Sequence, residues 1–184
     1  MGQGMDAHPL RKAGHRRIAA WAGAATLLLL PAMAMQVTDE VAWGLADFIL
    51  FGAMLVAALG SYELATRMSG GSRYRAAAGL ALATAFLLVW MNLAVGIIGA
   101  EDHPANLMFG AVLAVGIIGV LWARSRPLMM AWALVATALA QALGGTIALA
   151  AGWGDQPSAI MGLTALFVAL WLGSAWLFRQ SAQE

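Results

Sequence analysis

Six apolar stretches, each about as long as the hydrocarbon core of a bilayer is thick, occupy nearly all of a 184-residue chain. A helix crossing that core needs about 20 mostly apolar residues, and the pattern predicts helices near 18–36, 42–66, 76–99, 105–123, 128–151 and 158–178. Hydrophobic residues make up 62% of the chain and charged ones 10%, against roughly half and a quarter in a soluble domain. No water-soluble fold could hide so much apolar surface. The connections are too short for a soluble domain, and every backbone polar group in lipid must be satisfied within its own segment. The expected fold is therefore all-α: a compact antiparallel bundle of six transmembrane helices. Residues 1–16 read as a basic tail, 17–179 as a single transmembrane domain and 180–184 as a second short tail.

The charges are segregated. Arg11, Lys12, Arg16 and Arg17 precede the first span. Arg67, Arg73 and Arg75 follow the second, Arg124 and Arg126 the fourth, and Arg179 the sixth. The other connections carry Asp39 and Glu40, then Glu101 and Asp102, then Asp155, with no Lys or Arg. The positive-inside rule makes the basic side cytoplasmic and puts both termini there. Trp43 and Trp153 near outer helix ends, with Trp122 and Trp176 near inner ones, fit an interfacial belt or packing between helices. A second reading treats the first span as a cleavable signal peptide. Its basic segment, apolar run and Leu30-Pro31-Ala32-Met33-Ala34 have that form. Retention is the preferred reading, because the apolar run reaches full spanning length. The other five orientations are the same either way.

Small residues mark helix contact faces in membranes, where close packing and polar contacts drive association. Ala94-Val95-Gly96-Ile97-Ile98-Gly99 in the third span recurs letter for letter as Ala114 to Gly119 in the fourth. The two copies differ in depth, so they read as two glycine-lined packing faces and not as a duplicated functional unit. Ser69-Gly70-Gly71-Ser72 reads as a flexible cytoplasmic turn.

Polar side chains within a span are expensive and each requires an account. With the second helix starting near Asp39, Asp47 falls some eight residues inside it, while Asn92 and Gln141 fall about seven and ten residues from the outer ends of their helices. Similar depth suggests an outward-facing polar pocket formed by Asp47, Asn92 and Gln141, with Thr146 and Gln36 nearer its mouth. The competing account is that the three merely hydrogen-bond helices together, each contact contributing on the order of 0.6 kcal/mol. Glu63 has Arg67 at i+4 and reads as a structural ion pair.

The outer connection carries Glu101, Asp102, His103 and Asn106 as a polar cluster. Carboxylates beside an imidazole admit a divalent cation. The stronger account is that Asp102 caps the fourth helix with Pro104 in its first turn. His103 is the only histidine outside the basic tail, which argues against paired-histidine haem within the bundle. Eleven methionines invite a copper reading, but Met33 and Met35 sit two apart on a helix and point in different directions. No metal or cofactor is assigned. Cysteine is absent, excluding disulfides and thiolate chemistry. No hydrolase, zinc-protease or phosphate-loop motif is present, so an enzyme is the least supported class.

The block Trp90-Met91-Asn92 through Gly99, followed by Glu101-Asp102-His103-Pro104-Ala105-Asn106-Leu107-Met108, resembles a family of uncharacterised small multi-span bacterial inner-membrane proteins. Asp47-Phe48 through Tyr62-Glu63-Leu64 is similar to them too. The resemblance covers roughly the middle of the chain. It implies a bacterial inner-membrane location and supplies no activity or site. The expected function is ion or small-solute binding or transport through the polar pocket. The alternatives are an accessory or assembly subunit of a larger membrane complex and, less supported, an intramembrane enzyme using Asp47 or Glu101. Expected partners are the lipid bilayer and a membrane-protein partner or a second copy of the chain, with no nucleic acid.

Overall fold

Helix boundaries follow the local stop and start signals of the chain. In a computed structural model, which describes residues 8–38, 41–68, 71–99, 103–154 and 156–183, six α-helices account for most of the chain and no strand occurs among the described residues. They are α1 (His8–Ala34), α2 (Leu45–Met68), α3 (Ser72–Ala94), α4 (Leu107–Ala123), α5 (Pro127–Ala150) and α6 (Pro157–Ser181), with a 3₁₀ turn at Pro104–Asn106 leading into α4. Pro104, Pro127 and Pro157 each sit in the first turn of their element, where a missing N–H costs nothing. All six helices contain a segment long and apolar enough to cross a membrane. The protein is accordingly described as a multi-pass helical membrane protein.

Several boundaries differ from the sequence expectation: α1 already begins at His8, ten residues before the expected 18 and within the expected tail, and α3 begins at Ser72, four before the expected 76. Two further shifts have a local cause. α2 starts at Leu45, three residues later than expected, because the Gly44 N–H donates to Asp47 Oδ2 at 2.8 Å. An acid three residues into a helix that reaches back to the capping residue's N–H is half of a capping box. α3 ends at Ala94, five residues early, because Gly96 takes a left-handed φ of 74° and its N–H closes onto the Met91 carbonyl at 3.0 Å. Asp47→Ala, which removes this exposed cap, is expected to lower stability by only about 0.5–1 kcal/mol. Thermal unfolding in a membrane mimetic checks it.

The chain divides into two compact units, Met1–Gly60 and Ser61–Glu184. In the first, little is buried. Phe51 and Leu55 are the buried residues of α2, the Leu28 side chain lies over Gly52, and Trp43 stacks edge-on against Phe48 and Phe51 with ring centroids 5.3 and 5.4 Å away.

The second unit holds the core. α5 packs along both α4 and α6, and α3 packs along α6. Gly116 faces Thr137 and Gly119 faces Ala133 across the α4–α5 seam, while Gly145 faces Thr164 across the α5–α6 seam. Between α3 and α6, Ser174 Oγ donates to the Ala77 carbonyl at 2.8 Å, and Tyr74 meets Phe178 edge-on at 5.0 Å. α5 is the most enclosed helix, with ten of its 24 residues buried. Glu63 and Arg67 form the expected i,i+4 pair at 3.7 Å.

The repeated hexapeptide has two different roles. Its second copy lies within α4 and is a packing face, since Gly116 and Gly119 let α5 approach closely. The first copy is a helix terminator and not the packing face expected. Its glycines, Gly96 and Gly99, both have left-handed φ values.

Candidate functional site

The residues singled out in the sequence fall at unlike positions along their helices. Asp47 is the third residue of α2, Asn92 the third from the end of α3, and Gln141 lies nine residues before the end of α5. At 1.5 Å per residue, Gln141 is about 14 Å from its helix end and the other two about 3 Å from theirs. The similar distances from helix ends inferred for the trio do not hold, because the capping at Gly44 and the Gly96 turn shorten α2 and α3. Asp47 spends one carboxylate oxygen on the Gly44 N–H. Thr146 is exposed, and its hydroxyl donates to the Ala142 carbonyl one turn back, at 2.8 Å.

Asn92 and Asn106 build the connection between α3 and α4. Asn92 Nδ2 donates to the Asn106 carbonyl at 3.0 Å, and Asn106 Oδ1 accepts from the backbone N–H groups of Ile97 and Ile98 at 3.1 and 2.9 Å. Both isoleucines are buried, as is Asn106. The side chain of Asn106 thus closes donors freed by the end of α3. His103 caps the turn into α4: its Nδ1 accepts from the Ala105 N–H at 3.2 Å. The His103 ring lies 6.1 Å from that of Trp153 in the α5–α6 connection. There Gly154, with φ of 84°, leaves room for the Gly99 backbone. Glu101 and Asp102 lie outside the described residues. Among the described residues, no three His, Asp or Glu side chains cluster as a metal site would require.

Gln141 is the outlier. Its side chain is fully buried, and neither Nε2 nor Oε1 has a hydrogen-bond partner in the protein. The other buried hydroxyls of the unit mostly find a carbonyl. Thr84 and Thr137 bond back to Leu80 and Ala133 on their own helices, and Ser174 bonds across to α3. Leaving a buried polar group unpaired costs about 1–3 kcal/mol, so an unpaired amide in a packed seam requires a reason.

Two further orphaned buried atoms belong to the neighbouring α6, Thr164 Oγ1 and Trp171 Nε1. Gly145 touches Thr164. Gln141 is one turn before Gly145 on the same face of α5, and Trp171 is two turns after Thr164 on the same face of α6. The loop 151–156 joins the end of α5 to the start of α6. Stepping back along α5 and forward along α6 therefore moves in one direction, and Gln141 comes level with the stretch between Thr164 and Trp171. Long helical side chains lean toward the N-terminus of their own helix. By this counting Gln141 and Trp171 lie within about one turn of the same level on neighbouring helices, and that tendency favours their approach. The same counting from Gly116–Thr137 sets Val112 at this level, and from Ala77–Ser174 it sets Thr84 opposite Phe167; all three are buried, and the Thr84 hydroxyl is spent on the Leu80 carbonyl.

Sequence reading found Gln141 but missed Thr164 and Trp171. The available signal was Trp171 itself, fourteen residues into α6 and far from either interfacial zone where tryptophan usually sits in membrane helices. No protein-family model matches the chain, and neither a curated protein nor a solved structure shows significant similarity to it.

Proposed function

We propose that the protein binds a small solute within the membrane-spanning part of its second unit, at the α5–α6 seam around Gln141, and conducts or transports it. The observation that carries this reading is the fully buried, unpaired amide of Gln141, with Thr164 Oγ1 and Trp171 Nε1 unpaired on the neighbouring α6. Orphaned polar atoms that converge between packed helices offer a ligand hydrogen bonds that water cannot contest. Asp47, Asn92 and Thr146 stand outside this site: the first caps α2, the second anchors the α3–α4 connection, and the third bonds its own helix. In this reading the helices form an antiparallel bundle in a bacterial inner membrane, with both termini cytoplasmic. The one-sided arginines support that orientation, as do the exposed Trp122 and Trp176 toward the arginine-bearing ends of α4 and α6.

Native mass spectrometry of the gently extracted protein tests the reading. Wild type is expected to retain a small added mass that Gln141→Leu loses while keeping its helical content. Bare wild type, found with a second polypeptide in a fixed ratio that the substitution leaves unchanged, would favour an accessory subunit instead.

A further inference from the structure

We propose that the molecule taken between Gln141 and Trp171 is uncharged, carrying carbonyl or hydroxyl oxygens together with at least one N–H or O–H donor, the chemistry of a small amide or polyol. This rests on the solute-site reading above and narrows it to one ligand class.

The argument is one of charge and of hydrogen-bond count. α4 and α5 carry no charged residue, and α3 and α6 carry theirs only in terminal turns, at Arg73, Arg75 and Arg179. An ion at the level of Gln141 would meet no countercharge on these helices, whose other buried side chains at that level, Val112, Phe167 and Thr84, are apolar or already bonded within their own helix. An unpaired charge in such surroundings is far more costly than an unpaired amide. The donors also outnumber what a cation tolerates. Trp171 Nε1 only donates, and Gln141 Nε2 brings two N–H groups, while Gln141 Oε1 accepts and the Thr164 hydroxyl does either. A bare cation needs oxygen acceptors on every side and would face indole and amide hydrogens here. An anion would satisfy the donors but leave Gln141 Oε1 opposed to negative charge. A neutral molecule with acceptors for Trp171 and Gln141 Nε2 and a donor for Gln141 Oε1 satisfies all the groups at once.

Proteoliposomes of the full chain test this with urea and glycerol as neutral probes and with potassium, sodium and chloride as ionic ones. Osmotic swelling followed by light scattering is expected to show urea or glycerol entering faster than into protein-free vesicles. Gln141→Leu should return the rate to the protein-free value, and Trp171→Phe should reduce it, with circular dichroism confirming that both variants are folded. Ion fluxes should match those of protein-free vesicles in every case. A Gln141-dependent flux of any of the three ions would overturn the neutral assignment and leave the solute site standing. Urea and glycerol entry indistinguishable from protein-free vesicles overturns the assignment as well. Native mass spectrometry then decides whether the site itself survives.

Discussion

Asn106→Leu is expected to destabilise the protein by about 2–5 kcal/mol, because it strands two buried backbone donors at roughly 1–3 kcal/mol each. Ile97 and Ile98 are 4% and 0% exposed, and Asn106 Oδ1 accepts from both of their N–H groups. Asn92→Leu provides the contrast. It removes one hydrogen bond, from Asn92 Nδ2 to the Asn106 carbonyl, but also removes the unpaired buried Asn92 Oδ1, so its expected cost is under about 1 kcal/mol. Denaturant or thermal unfolding in a membrane mimetic compares the two. Equal losses would mean that Asn106 is not the keystone of this connection.

The second large effect is expected at Gly145. A Cβ there would overlap the side chain of Thr164, down to its own Cβ at 2.9 Å, so Gly145→Val should cost at least the roughly 1–3 kcal/mol typical of overpacking. Exchanging the two sizes, as Gly145→Ala with Thr164→Gly, should recover most of what Gly145→Ala alone loses. Gly119→Ala belongs to the same class, because its Cβ would come within 2.7 Å of Ala133 Cβ. Gly110 and Gly162 serve as controls. A Cβ at either meets nothing within 4 Å, and alanine there should be neutral or stabilising by about 0.5–1 kcal/mol. Uniform costs at all four positions would show that helix flexibility, not close approach, accounts for the glycines.

Legibility from sequence varied with the range of the interaction responsible. The Glu63–Arg67 pair and Pro104 in the first turn of its element were readable because each depends on residues within a turn of one another. The Asp47 cap is equally local, yet placing the start of α2 near Asp39 turned a capping carboxylate into an apparent mid-membrane charge. Gln141 was visible as a polar residue deep in an apolar run. Its isolation was not, since that depends on what α4 and α6 place opposite it.

The repeated hexapeptide separates the two kinds of information most clearly. In the first copy Ile97 and Ile98 are buried at 4% and 0% exposure, whereas their counterparts Ile117 and Ile118 in the second are 60% and 63% exposed. Six identical letters cannot distinguish the two. The residues around them differ, with Pro104 and Asn106 soon after the first copy and Val120-Leu121-Trp122 directly after the second. What the sequence alone determined is that six apolar helices form and are long enough to span a membrane. Length and hydropathy are properties of a segment, and lipid permits few alternatives to a helix. The tertiary structure decided which faces meet, which glycines are spacers and which are turns, and that Gln141, Thr164 and Trp171 keep buried polar atoms without a partner. In an apolar solvent, hydrophobicity does not select between faces, so those outcomes rest on shape and hydrogen bonding between residues far apart in the chain.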